Sequence, residues 1–231
     1  MFSPNEGKTR VFISYSKEDK DAIGYIESAL RRNGFDPYIS EWSPIAGEYI
    51  SKKIANGILS SLNFVFLLTE LSQHSQWMNQ EVGFAFALKY LNEIQKDPVL
   101  LRRFPVINAI AKNAILPFNS IEIYPIVQMG IEPKGFIDKS IEYVLYDPSD
   151  YSSAAINLLP QIRTRVRESY GVKLKLYVKC DQCNHEMYFD LPREDEIYKA
   201  IENANVLQVQ CENCKNDLYL EPLDFSIKRG H

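Results

Sequence analysis

The sequence predicts an α/β fold, a parallel sheet covered by helices on both faces, followed by a small β-rich module held together by four cysteines. Two observations predict it. Between residues 10 and 94, β-branched or aromatic runs of strand length alternate three times with stretches whose apolar residues recur at helical spacing. All four cysteines lie in the last 52 residues, as two Cys-x-x-Cys pairs. The length of 231 residues suits one medium domain and one small one, and 45% hydrophobic content supplies a core of ordinary size.

Residues 10–15, Arg-Val-Phe-Ile-Ser-Tyr, read as a buried strand. The next stretch, 21–32, carries Ile23, Ile26 and Leu30 on one helical face, and Asn33-Gly34 supplies its stop. A second strand covers 35–39. The segment 40–47, Ser-Glu-Trp-Ser-Pro-Ile-Ala-Gly, is a loop punctuated by Pro44 and Gly47. Ile50, Ile54 and Ile58 recur every four residues and predict a second helix. Residues 62–68, with the unbroken apolar run at 64–68, read as a central parallel strand buried on both faces. A polar loop then leads into a helix over 77–94. The segment 95–118 holds Pro98, Pro105 and Pro117 among apolar patches and reads as an inserted loop with a short helix. Strands follow at 121–127 and 141–146. The last helix of this part, 152–170, lines up Ile156, Leu159, Ile162 and Val166; Pro160 inside it allows a break into two pieces, and Gly171 marks the exit.

Composition narrows the function classes. The longest apolar stretch, 64–68, is far short of the roughly 18 residues of a membrane helix, so no membrane association is expected. The polar start, Met1-Phe-Ser-Pro-Asn-Glu, is not a secretory signal, and a cytoplasmic location is the expectation. Residues 1–173 carry 19 Lys+Arg against 19 Asp+Glu, whereas 174–231 carry 7 against 11. The whole net charge of −4 therefore sits on the cysteine-bearing part, which argues against a nucleic-acid surface.

Cys180-Asp-Gln-Cys183 and Cys211-Glu-Asn-Cys214 are separated by 27 residues. Four thiolates are the number tetrahedral Zn²⁺ takes in a closed structural site, which leaves no open position for catalysis. Strand-like segments flank each pair, at 174–179 and 187–191, then at 206–210 and 218–220, with a short helix over 194–203 between them. This is the pattern of a zinc ribbon over 173–231. Disulfides and a redox role are the competing uses, and a cytosolic setting disfavours the first. A module this small requires a staple. Docking to a partner, or to a second copy of the chain, is its expected role.

Three blocks of the first part stand out: Val11-Phe-Ile-Ser-Tyr-Ser-Lys-Glu-Asp19, Tyr38-Ile-Ser-Glu-Trp-Ser-Pro-Ile-Ala-Gly47, and Leu68-Thr-Glu-Leu-Ser-Gln-His-Ser-Gln-Trp77-Met-Asn-Gln-Glu81. Together they resemble the TIR (Toll/interleukin-1 receptor) family, in particular its prokaryotic members. Each is weak alone; all three in order at these distances are specific. The resemblance fades after residue 94. It implies a TIR domain over 1–172 with a flavodoxin-like, five-stranded parallel sheet.

The resemblance further implies NAD⁺ as substrate, cleaved at the nicotinamide–ribose bond, with Glu81 of the Trp-x-x-x-Glu segment as the catalytic carboxylate. Nicotinamide in NAD⁺ is already cationic and leaves without protonation, so the two carboxylates of ordinary glycosidases reduce to one. Early in its helix, Glu81 is expected to be held ionised by the helix dipole. Ser14, Tyr15, Trp42, Ser72 and Trp77 are the expected substrate-binding residues at the pocket mouth. Packing for Trp77, and capping or strand-end hydrogen bonding for Ser14 and Ser72, are equally open. One departure stands out: where many members carry an aspartate near the start of the second loop, this chain has Ser40, followed by Glu41.

The leading expectation is an NAD⁺ glycohydrolase of prokaryotic antiphage immunity. It would yield nicotinamide with ADP-ribose or a cyclic or conjugated ADP-ribose signal, and it would depend on self-association through TIR domains or on another defence protein. The alternatives are a non-catalytic scaffold that assembles with other TIR domains, and a nucleotide sensor that does not cleave.

Overall fold

The computed structural model describes residues 9–39, 47–104, 121–133 and 142–228. The first part alternates strands and helices: β1 (Arg10–Ser14), α1 (Lys20–Arg32), β2 (Asp36–Ile39), α2 (Gly47–Leu59), β3 (Asn63–Leu68), α3 (Gln76–Lys96), α4 (Pro98–Arg103), β4 (Glu122–Gln128), β5 (Val144–Tyr146) and α5 (Tyr151–Tyr170). The five strands form one sheet in the order β2-β1-β3-β4-β5, and every pairing is parallel. This is the expected flavodoxin-like order, whose chain direction across the sheet reverses between β1 and β3.

Alternation along the strands creates two cores. Val11 and Ile13, Val65 and Leu67, and Tyr124 and Ile126 pack with α1 and α5 on one face. Phe12, then Phe64 and Phe66, then Ile123 and Val127 pack with α2 and α3 on the other. The apolar run 64–68 is continuous because β3 is buried on both sides. Asp97 caps α4 by accepting from the Val99 N–H at 2.7 Å, with Pro98 at the first helical position. The inserted segment thus begins with the short helix expected of it; residues 105–118 lie outside the described residues. Pro160 does not divide α5. The helix runs unbroken from Tyr151 to its left-handed cap at Gly171, because the buried stripe of Leu158, Leu159, Ile162 and Val166 anchors both sides of the proline.

The second part is two antiparallel hairpins, β6 (Lys175–Lys179) with β7 (Glu186–Asp190) and β8 (Leu207–Gln210) with β9 (Asp217–Leu220), joined by α6 (Glu194–Glu202). Its apolar side does not close on itself alone. Leu176, Val178, Met187, Leu191, Ile197 and Phe225 belong to the same continuous cluster as α1 and α5. Polar bonds reinforce this seam. Arg163 of α5 is 1% exposed; it donates to both oxygens of Glu194 at 2.7 and 2.9 Å and to Asn33 Oδ1 at 2.8 Å. Asp224 accepts from Arg32 at 2.7 Å and from the Tyr25 hydroxyl at 2.6 Å.

Gly34 sits at the closest point of the seam. Its φ is +77°, and a β-carbon there would run into the Lys175 carbonyl oxygen. Gly34→Ala is therefore expected to cost about 2–4 kcal/mol, combining left-handed strain with a backbone clash. Thermal melting checks this, and a melting curve equal to that of the parent would mean the two parts do not approach so closely in solution.

Candidate functional site

A cleft of about 660 Å³ opens beyond the C-terminal ends of β1 and β3, at the point where strand order reverses. Ligands of open α/β sheets settle at such points because the flanking loops diverge there. One wall is the segment after β1, with Tyr15, Ser16, Lys17, Glu18 and Lys20; the other is the start of α3 and the turn before it, with Leu71, His74, Ser75, Trp77, Met78 and Glu81. The two walls are tied together by Thr69, whose hydroxyl donates to Asp19 at 2.9 Å.

Ser75 fixes the direction of α3: its hydroxyl accepts from the Met78 N–H at 3.3 Å, as an N-cap does. Four residues apart on α3, Trp77 and Glu81 then share one face and both reach the cleft. Glu81 is 8% exposed, and its Oε2 accepts from the Ser14 hydroxyl at 2.5 Å. Burial drives its carboxyl up to about 7, and the Ser14 hydrogen bond opposes that rise. The direction is opposite to the one expected from the helix dipole. Glu81 lies in the second turn of α3, where the dipole has faded, and desolvation is the larger influence.

The structure sorts the other sequence-predicted residues. Tyr15 and Trp77 line the cleft. Ser72 does not reach its mouth: it is fully buried, accepts from the Thr69 N–H at 2.6 Å and donates to the Leu67 carbonyl at 2.9 Å. Its hydroxyl closes the turn after β3, the strand-end role open to it from the start. Ser14, 1% exposed, likewise sits beneath the cleft with its hydroxyl committed to Glu81 rather than directed at a ligand. Trp42, with Ser40, Glu41 and Pro44 of the second loop, lies outside the described residues. Lys17, Lys20, Glu18 and Met78 were not anticipated as lining residues. Their signal was position: three of them follow the strand end directly, where the chain must turn across the mouth.

In the second part the four cysteine Sγ atoms lie within 4.8 Å of one another. The pairs Cys180–Cys214 and Cys183–Cys211 stand 3.6 Å apart. Thiolates at ~2.3 Å from a tetrahedral zinc are about 3.8 Å apart, whereas a disulfide requires about 2.05 Å. The four sulfurs lie close enough together to hold a metal such as zinc. The two knuckles share one backbone form: Asn184 and Lys215, each directly after the second cysteine of its pair, have φ of 58° and 61°. The Cys180 and Cys211 amides donate to the His185 and Asn216 carbonyls, respectively. Both hairpins are thus organised around the cluster, and the fold fits a zinc ribbon. Stripping metal with a strong chelator at neutral pH is expected to unfold residues 174–228 and to lower the melting temperature of the entire chain, because these residues share its core. An unchanged melt after verified metal removal would count against a structural role.

Among the described residues no helix is long and apolar enough to cross a membrane. Residues 11–121 match the TIR domain family, so the likeness extends past residue 94 to the threshold of β4. No curated protein matches the chain.

Proposed function

We propose that the TIR domain at residues 11–121 cleaves NAD⁺ at the nicotinamide–ribose bond, with Glu81 as the reacting carboxylate, in the cytoplasm of a prokaryote as part of antiphage immunity. The family includes NAD⁺ hydrolases, and its members commonly self-associate. The observation that carries the reading is Glu81 itself, a buried carboxyl poised at about 7 in a ligand-sized cleft at the sheet's switch point.

The chemistry requires one carboxylate. The C1′–N1 bond breaks, its electron pair passes to the positively charged pyridinium nitrogen, and neutral nicotinamide leaves. The ribosyl carbon becomes oxocarbenium-like, and the ionised Glu81 stabilises that charge in a partly desolvated setting. Water then bonds C1′ and loses a proton, which a carboxylate near neutrality can accept, giving ADP-ribose. Capture by an adenine nitrogen or another nucleophile gives a cyclic or conjugated product instead, and how well water is excluded decides between them. Tyr15 and Trp77 offer aromatic surface to the substrate rings. Cys180, Cys183, Cys211 and Cys214 would hold Zn²⁺, which with four thiolate ligands would supply structure rather than bond cleavage.

The test is NAD⁺ turnover by purified protein at high concentration, with Glu81→Ala beside it and products separated by chromatography. Nicotinamide release that falls at least about a hundredfold in the variant is expected. Equal inertness of parent and variant across all concentrations would return the domain to a non-catalytic assembly module.

A further inference from the structure

We infer that Ser14 is a positioning residue for Glu81: by donating its hydroxyl proton to Oε2, it fixes the carboxylate in the cleft and stabilises its charged form. The inference rests on the reading of Glu81 as the reacting group.

Geometry carries it. Ser14 is the last residue of β1, held in register opposite Phe66 of β3, so its backbone has no freedom to withdraw. Its hydroxyl and the Glu81 carboxylate, 67 residues apart in the chain, meet at 2.5 Å with both residues buried. Among the described residues this is the single hydrogen bond to the Glu81 carboxyl. Among the described residues, the buried cluster that α3 shares here is apolar, with Phe64, Phe66 and Leu68 of β3, Ile123 and Val127 of β4, and Ile54 and Ile58 of α2. Among the described residues the titratable groups on the cleft side are Tyr15, Lys17, Glu18, Lys20 and His74, with Asp19 behind them tied to Thr69. Burial and the Ser14 hydroxyl, acting in opposite directions, are the influences that set Glu81. A hydrogen bond to an ionised acceptor is about twice as strong as a neutral one, so its loss falls on the carboxylate form. A side chain serving only to pack β1 would leave that balance alone.

The experiment uses full-length, metal-loaded protein labelled with ¹³C at glutamate carboxyls, with Glu81→Gln identifying the Glu81 resonance. Reading the carboxyl directly keeps His74 out of the measurement. In Ser14→Ala the Glu81 titration is expected to move up by about one pH unit. The acid limb of nicotinamide release should move with it. The rate would drop about fivefold at pH 7 and approach that of the parent above pH 9. Ser14→Thr keeps the hydroxyl and should restore both. Ser14→Cys, a near-isostere with a weaker donor, reads the same upward direction if Ser14→Ala does not fold.

A Glu81 titration unchanged in both Ser14→Ala and Ser14→Cys overturns the inference, even if activity falls, because a loss equal at every pH is what a packing role produces. A titration that shifts while no protein, parent included, releases nicotinamide upholds the Ser14–Glu81 coupling and defeats the catalytic reading instead.

Discussion

Glu81→Gln is expected to raise the stability of the protein at pH 8 while removing the NAD⁺ cleavage proposed for it. The folded state holds the Glu81 carboxyl at about 7, against 4.5 for an unperturbed glutamate. Folding therefore favours the protonated form. That contribution is fully present below the unfolded value and is lost as pH rises through the folded one, so at pH 8 the parent carries the whole cost of a buried charge. At 1.36 kcal/mol per pH unit the cost is on the order of 1–3 kcal/mol. Glutamine is neutral throughout and close in shape, so the variant should melt about 3–10 °C higher at pH 8 and at nearly the same temperature as the parent at pH 4. Melting curves at the two pH values decide it. A variant no more stable at pH 8 would mean that water reaches Glu81 freely, which would undercut its role as a poised base.

The second large effect is expected at Arg163. Its guanidinium joins three parts of the chain: both oxygens of Glu194 at the start of α6, Asn33 after α1, and the Phe225 ring at 5.9 Å. Arg163→Met fills similar space but leaves Glu194 with only the longer Arg167 contact at 3.4 Å and the buried Asn33 Oδ1 without its donor. Removing one side of a buried pair costs about 3–5 kcal/mol, far more than the pair is worth against a fully apolar replacement. The melt should shift down by about 6–20 °C as a single transition, because the zinc-ribbon part and the α1–α5 face share one apolar cluster. Two separate transitions, with the N-terminal one unmoved, would show instead that the parts fold independently. By the same reasoning a chain ending near residue 172, the boundary read from the sequence, would expose the outer sides of α1 and α5, and poor solubility is its expected behaviour.

Much of the architecture was legible in advance. The strand at 62–68 announced itself by the unbroken apolar run 64–68, α1 and α5 by apolar residues three and four apart, and the cysteine cluster by two Cys-x-x-Cys pairs with strand-like flanks. The family likeness marked Glu81, and the structure places it in a cleft with Trp77 and Tyr15. The serines were harder. Ser14 ends β1 and Ser72 lies in the turn after β3; one hydroxyl reaches across to α3 and the other turns back on its own loop. Which distant group meets the Ser14 hydroxyl is not written in the residues beside it. Arg163 was harder still: beside Ile162 in an amphipathic helix it reads as a solvated cation, and its partners lie 31 and 130 residues away.

Sequence by itself determined the order and kind of the elements, the parallel sheet they build and the four cysteines that cluster, since periodicity, turn residues and Cys-x-x-Cys spacing act over a few residues and need no partner. Tertiary structure alone decided that the zinc-ribbon part shares a core with α1 and α5, that Ser14 rather than Ser72 meets Glu81, and that burial overrides the helix dipole at that carboxyl. Each of these depends on which distant groups exclude water from a given atom, and desolvation is a property of the assembled surroundings, not of the neighbouring residues in the chain.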